Sequence, residues 1–338
     1  MSTVCLLPKK LGLGGPASFQ ARLAEALKQQ KINVVFDPDD AAVTAILVVG
    51  GTRRFDELIR ARRRGVRIVQ RLNGMNWVHK QKYTGVRHYV RAEYGNWILS
   101  TIRRSLADRI VYQSQFTQNW WLRAYGPVKA PCTVIYNGVN LDQYSPLGAS
   151  ARPTDHYRML LVEGHLGGGY EQGLLTAVKA AEMLNQRLDK PVELMVVGEA
   201  STALQQQAHS DQINVIWRGV VKRDDIPEID RSAHFLFSAD INAACPNSVI
   251  EALACGLPVV GYDTGALPEL LANGAGCVAS YGGDPWKLET PQLSPLVEAA
   301  QTVLKNDTEY QKAARKQAEA FFDIQAIAAS YRKILLDE

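Results

Sequence analysis

Ala243–Pro268 reads AACPNSVIEALACGLPVVGYDTGALP. Loop, helix and strand succeed one another in it. Pro246 suits the first turn of a helix and Asn247 or Ser248 its N-cap, so a helix is expected over Ser248–Cys255. Gly256 and Pro258 end that helix, and the apolar run Pro258–Gly261 reads as a short strand. The first amides of a helix have no carbonyl one turn back, so those of Ser248 and Val249 offer a site for an anion. Glu251 stands one turn further in. A carboxylate there accepts two neighbouring hydroxyls in parallel, as a ribose diol presents them. The plain alternative is a solvent-facing helical glutamate, against which the small apolar neighbours Ala252, Ala254 and Cys255 speak.

The same alternation of short apolar strands and amphipathic helices runs along the whole chain, the pattern of parallel sheets in doubly wound α/β domains. In the first half, strands are expected near Val4–Leu7, Asn33–Phe36, Ala45–Val49, Arg67–Arg71, Arg109–Tyr112 and Thr133–Tyr136. Helices are expected near Ser18–Gln30, Phe55–Arg63, Val86–Leu106 and Gln115–Ala124. The stretch SPLGASARPTDH (145–156) has the Pro, Gly and Ser content of a linker. Beyond it, strands are expected near Arg158–Val162, Val192–Val197, Asn214–Trp217, His234–Phe237 and Pro258–Gly261. Their further helices fall near Glu171–Leu188, Pro268–Leu271, Leu293–Lys305 and Glu309–Phe321. No tandem repeat stands out. In the last segment, Ile324–Leu336, the residues Ile327, Ala328, Tyr331, Ile334 and Leu335 form one helical stripe. Periodicity alone leaves open whether it caps the second domain or returns to the first.

A chain of 338 residues is comfortable for two domains, and no stretch approaches the roughly 20 apolar residues of a membrane span. The opening MSTVCLLPKKLGLGG places its lysines after a short apolar run, the reverse of a secretion signal, and is expected to be the first strand. Cys5, Cys132, Cys245, Cys255 and Cys277 include no CxxC pair and lie in or beside apolar runs, so buried free thiols and a reducing cytoplasm are expected. Charge is divided unevenly: residues 1–150 hold 22 Lys/Arg against 9 Asp/Glu, and residues 151–338 hold 16 against 25. The basic clusters include Lys9-Lys10, Arg53-Arg54, Arg60 to Arg64, Lys80 with Lys82, and Arg103-Arg104. They read either as solvated faces or as a surface drawn to anionic lipid or an anionic acceptor. No nucleic-acid-binding motif accompanies them, so nucleic acid is not an expected partner.

Two further segments carry candidate chemistry. LGLGGP (11–16) lies between the first strand and the first helix, where Gly14 and Gly15 let backbone amides approach an anion or simply make a tight turn. QRLNGMNW (70–77) places Asn73 to bond a hydroxyl, or to form an Asn-Gly turn. Trp77, His79, Tyr83 and Tyr89 follow it, as core packing or as an aromatic platform for an acceptor. The six histidines form no HExxH or other short ligand pair, so no catalytic metal is expected. Neither GxSxG nor a Cys-His arrangement suggests covalent catalysis.

Residues 247–269 (NSVIEALACGLPVVGYDTGALPE) resemble the donor-site motif of glycosyltransferase family 4. IYNGVNLDQY (135–144) is similar to that family's inter-domain segment, ADRIVYQS (107–114) to its late N-terminal strand, and Gly14-Gly15 to its glycine loop. The resemblance covers nearly the whole chain and implies the GT-B architecture: two Rossmann-like parallel-sheet domains facing a cleft, with the last helix crossing back to the first. The division it implies is 1–146 on the acceptor side, 147–322 holding a nucleotide-sugar, and 323–338 as the returning helix. It implies transfer of a hexose with retention, from a UDP- or GDP-sugar co-substrate and with no tightly bound cofactor, to a glycan, lipid-linked or small-molecule acceptor. By the same resemblance Glu251 binds ribose and the amides of Ser248 and Val249 meet the diphosphate. The donor set further takes in Gly14, Gly15, Gly164, His165, Gly168, Gly169, Tyr170, Arg218, Gly219, Pro246 and Asn247. Gly15, Asn73, His165 and Asn247 are placed at the reacting centre. The expected location is cytoplasmic, with peripheral attachment to the inner membrane face through the basic half.

The chain departs from the family pattern at three places. Ala243 stands where the first of two motif glutamates contacts the sugar; Asp240 and Asn242 are the nearby substitutes. In VEGHLGGGYEQG (162–173), His165 and Gln172 stand where an Arg and a Lys face the diphosphate. A lost cation of that kind costs about 2–4 kcal/mol of transition-state stabilisation unless replaced. The replacements available are glycine-loop amides, His165, Lys9, Lys10 and Arg218. Asn73 stands where the family often has His. The departures admit a second reading, a nucleotide-sugar or glycan binding protein on a GT-B scaffold that has lost turnover.

Overall fold

A computed structural model of the chain describes residues 2–9, 14–167 and 171–337. The expected loop residues Lys10–Leu13, Gly168, Gly169 and Tyr170 therefore lie outside the described residues. The chain forms two compact units, one of residues 1–138 with 323–338 and the other of residues 139–322.

Unit 1 runs β1 (Thr3–Leu7), α1 (Gly15–Gln29), β2 (Asn33–Val35), β3 (Val43–Val49), α2 (Phe55–Arg63), β4 (Arg67–Leu72), α3 (Val86–Ser105), β5 (Arg109–Tyr112), α4 (Gln115–Tyr125) and β6 (Cys132–Val134). The strands are all parallel, in the order β2-β1-β3-β4-β5-β6. The strands alternate faces with a period of two residues, and both faces are covered. Val4, Leu6 and Leu47 meet Phe19, Leu23 and Leu27 of α1 on one side. Cys5, Leu7, Ile46 and Val48 meet Leu58 of α2 and Ile98 and Ile102 of α3 on the other. The α1 side also receives the last helix, Ile324–Leu336, whose Ile324, Ile327, Ala328, Tyr331 and Leu335 are buried there.

Unit 2 runs β7 (Tyr157–His165), α5 (Glu171–Arg187), β8 (Val192–Glu199), α6 (Thr202–Gln207), β9 (Asn214–Gly219), α7 (Ile226–Arg231), β10 (Phe235–Ser238), α8 (Asn247–Ala254), β11 (Val259–Tyr262), α9 (Leu267–Leu270), β12 (Gly276–Ala279), α10 (Leu293–Lys305) and α11 (Asp307–Phe321). The last helix of the chain is α12. The strand order is β12-β11-β10-β7-β8-β9, again all parallel. Leu174, Ala177, Ala181 and Leu184 of α5 and Val297 and Val303 of α10 cover one face. On the opposite face α8 packs against β10, β11 and α11. The expected parallel α/β architecture is thus present twice over.

Candidate functional site

The strand order of unit 2 reverses between β7 and β10, since the chain builds outward from β7 to β8 and β9 and then returns to place β10 on its other side. Ligands of open α/β sheets bind at the carboxyl ends of the strands flanking such a reversal. Those ends here supply Glu163 and His165 from β7, and Ala239 and Asp240 just past β10; with Leu166 they line a pocket of about 120 Å³. β7 extends to His165, beyond the expected end at Val162, so Gly164 and His165 finish a strand and are not part of the loop. A side chain at Gly173 would place its Cβ 2.7 Å from the Ala239 carbonyl, so glycine there brings α5 down onto the pocket floor.

The pocket is acidic. Burial, and then the neighbouring Asp240, push the Glu163 carboxyl up to about 8. Burial pushes Asp240 up to about 6. His165 is exposed, with Nδ1 3.4 Å from Glu199 Oε2. The sequence reading named Asp240 only as a substitute for the missing glutamate and passed over Glu163. Asn242, the other substitute, is buried, has a left-handed backbone (φ 58°) and takes no part in lining the pocket. Ala243 is buried too, its carbonyl accepting the Ala266 amide at 2.8 Å.

α8 begins a residue earlier than expected: Pro246 is its N-cap and not a first-turn residue, with φ −67° and ψ 128°, so Asn247 and Ser248 are the first helical residues and neither is the cap. Proline has no N–H to spend, and the following amides belong to the first turn. Glu251 is only 8% exposed, so the solvent-facing alternative is excluded. Near it lies the buried Asp230 of α7, whose carboxyl burial and the Glu251 charge push well above the ordinary range. The other end of α8 is fixed by Arg315 of α11. One guanidinium nitrogen, Nη1, donates to the carbonyls of Ala254 at 2.7 Å, Tyr144 at 2.8 Å and Leu141 at 3.3 Å. A cation at a helix C-terminus also complements its dipole. Arg218 and Gly219 end the edge strand β9, are exposed, and do not line the pocket.

In unit 1 the strand order reverses between β1 and β3. Gly14 is the N-cap of α1, with φ 115°, and Gly15 is its first residue, so this helix starts ahead of the expected Ser18. Asn73 follows β4, and its side-chain oxygen approaches Gly50 at the end of β3. Its carbonyl accepts the Trp121 indole N–H at 2.8 Å, and Gly74 lies against the Trp120 ring, where a Cβ would come within 2.7 Å. No turn forms at Asn73-Gly74. Arg71, which the sequence reading set near the acceptor with Lys9, Asn73 and Trp77, is buried under Phe19, its guanidinium 3.6 Å from the ring centroid and bonded to Asn137, so it is not a surface cation. The aromatic platform resolves unevenly: His79 is buried on Glu93 at 2.7 Å, Trp77 is half-buried, and Tyr83 and Tyr89 are exposed. Among the described residues no cluster of three or more His, Cys, Asp or Glu side chains is placed to hold a metal ion. No described helix is long and apolar enough to cross a membrane.

Two family descriptions match the chain, Glycosyltransferase Family 4 over residues 4–143 and glycosyl transferases group 1 over residues 158–305. A D-inositol 3-phosphate glycosyltransferase of Streptomyces bingchenggensis is 26% identical over 200 residues, a match spanning 53% of this chain and 43% of that protein. The fold is that of a sucrose-phosphate synthase from Thermosynechococcus elongatus, with a TM-score of 0.76, 18% identity and both chains covered in full. It is also that of Anabaena HepE, solved in complex with UDP-glucose, with a TM-score of 0.67 and 16% identity over 99% of this chain and 100% of that one. Taken with the two six-stranded parallel sheets, these matches give the chain a GT-B glycosyltransferase architecture, its first half matching Glycosyltransferase Family 4 and its second glycosyl transferases group 1.

Proposed function

We propose that this protein is a retaining hexosyltransferase that takes its sugar from a UDP- or GDP-sugar bound by unit 2. The observation that carries the reading is the buried Glu251 one turn inside α8, behind first-turn amides suited to a diphosphate. The pocket at the ends of β7 and β10, with Glu163 and Asp240, then receives the sugar end of the donor. HepE, which shares the fold, binds UDP-glucose, and this supports the donor class. No enzymic nucleophile is assigned. The reading is therefore front-face displacement, with the leaving diphosphate oxygen taking the acceptor proton while protein groups position and stabilise charge. Unit 1, the basic one, carries the acceptor, a glycan, lipid-linked or small-molecule hydroxyl. A cytoplasmic, membrane-peripheral location fits the exposed Tyr83, Val86, Val90 and Trp97 set among basic residues.

Glu251→Ala tests the donor assignment. Calorimetry with UDP-glucose and GDP-mannose is expected to show at least a tenfold loss of affinity for whichever donor the wild type binds, about what removing a charged hydrogen-bond acceptor costs. The melting temperature should hold. Unchanged affinity would contradict the assignment. A second reading, binding without turnover, is favoured by one feature: among the described residues the pocket lining contains two carboxyl groups and no Lys or Arg. Nucleotide release measured with a broad acceptor set separates the two, since the transferase releases nucleotide and the binding protein does not.

A further inference from the structure

Besides the donor pocket, the chain contains a groove of about 540 Å³ in unit 1, at the carboxyl ends of β3 and β4 and roofed by α3. It lies beside the β1/β3 reversal, one residue past the Gly50 that Asn73 approaches. Its size is within the ordinary range for a small-molecule site. Arg53 and Arg91 line it together with His88, and among the described residues no carboxylate does. Neighbouring arginines of this surface meet acids: Arg54 pairs with Glu57 at 2.9 Å and Arg60 with Asp39 at 2.8 Å. Arg53 instead lies over the Tyr94 ring, 5.6 Å from its centroid, and Tyr94 stacks on Trp97 at 5.8 Å and 17°. Asn76 is held in the wall by Asn96, whose side-chain oxygen accepts its amide at 2.9 Å. α3 comes close enough to form the roof because position 51 is glycine; a Cβ there would stand 3.0 Å from Ile98 and 3.1 Å from Leu99.

Two guanidinium forks are suited to the oxygens of a single phosphate group, and the rim of an exposed aromatic ring is suited to flank a sugar or cyclitol. We infer that this groove binds a phosphate monoester or diester carried on a polyol, with Arg53 and Arg91 holding the phosphate and Tyr94 flanking the ring. The inference deepens the transferase reading by giving the acceptor a chemical class, and it rests on that reading for the word acceptor alone. The shared phosphate chemistry has two sources, a soluble sugar phosphate or a phospholipid headgroup.

The test is direct binding to the full chain, with no donor present. Glucose 6-phosphate, myo-inositol 1-phosphate and unphosphorylated glucose are titrated by calorimetry, and phosphatidylglycerol and phosphatidylcholine vesicles are compared by sedimentation. The variants are Arg53→Ala with Arg91→Ala, and Arg63→Ala as a control exposed outside the groove. The phosphorylated sugars are expected to bind at least about tenfold tighter than glucose, and the double variant to lose at least that factor. If only phosphatidylglycerol vesicles bind, and the double variant abolishes it, the source is a headgroup and the groove assignment stands. Equal binding of glucose and its phosphate together with no loss of vesicle binding in the double variant would overturn it. So would an equal loss in Arg63→Ala, which would mark the effect as general charge. UDP-glucose affinity of the double variant is measured alongside. Should the wild type not bind UDP-glucose, the donor assignment fails while the groove result stands by itself.

Discussion

Two carboxylic acids beside one another in a pocket resist losing both protons, and Glu163 and Asp240 are in that position. Their ordinary values are 4.5 and 3.8, and in the folded chain they stand at about 8 and about 6. Both therefore hold their protons more tightly folded than unfolded. From near pH 4 up to about 8 the native state carries the extra protons, so this pair stabilises most at the acid end and its contribution is lost as pH rises through the folded values. Glu163→Gln keeps the shape and removes the ionisation. Its melting temperature is expected to match the wild type near pH 4 and to exceed it above pH 8, flattening the curve. Parallel curves for the two proteins would show that Glu163 ionises as it does in water. Glu163 escaped the sequence reading because it follows RMLLV, where it passes for the polar edge of a strand. The signal was present: a carboxylate at the end of a strand buried in a parallel sheet is out of place in an otherwise apolar run. Arg71 misled in the opposite sense, since nothing local tells a surface cation from one folded under Phe19.

At the scale of elements, the placement of α8 depends on contacts remote in sequence. The helix has 8 residues, too short to hold itself in water, and its C-terminal carbonyl at Ala254 is held by Arg315, 61 positions away. Arg315→Ala leaves three carbonyls without their donor at a largely buried point and is expected to destabilise unit 2 by about 2–4 kcal/mol. Lys, a point charge without the planar fork, should recover only part of that. Chemical denaturation of the three proteins checks it, and a loss below about 0.5 kcal/mol would assign the anchoring to apolar packing alone. Long elements were legible because their periodicity repeats: α2, α10 and α12 begin and end where the pattern places them. The sequence reading missed α6, α7 and β12, of 6, 6 and 4 residues. So few residues complete barely one period; pairing with β11 decides β12, packing against α8 decides α7, and burial of Leu204 in the unit 2 core decides α6. The start of α8 was misplaced by a residue or two because Pro, Asn and Ser all suit a helix entrance, and only the backbone angles show which one caps it.

At the scale of the molecule, unit 1 is discontinuous: it is closed by the last 16 residues of the chain, which return after the whole of unit 2. α12 lays Ile324, Ile327, Tyr331 and Leu335 against Phe19, Leu23 and the sheet, with Phe19 and Tyr331 rings 5.5 Å apart. Burying each such side chain is worth about 1.5–3 kcal/mol, and four of them together rival the entire net stability of an ordinary domain. The Arg109–Asp337 ion pair at the helix end, 3.0 Å and exposed on both sides, adds little. A chain ended at Phe322 should therefore lose the cooperative unfolding of unit 1 while unit 2, residues 139–322, keeps its own core and its own transition. Calorimetry would show one transition gone or moved down by ten degrees or more, on the order expected for several kcal/mol in a domain of this size. Limited proteolysis would place the first cuts in residues 1–138. If both transitions survive unchanged, α12 is a passenger on unit 1 and the apolar stripe does not hold it. UDP-glucose binding by the shortened chain adds an independent arm: retention would locate the donor contacts within unit 2, and loss despite an intact unit 2 transition would contradict a donor site held by unit 2 alone.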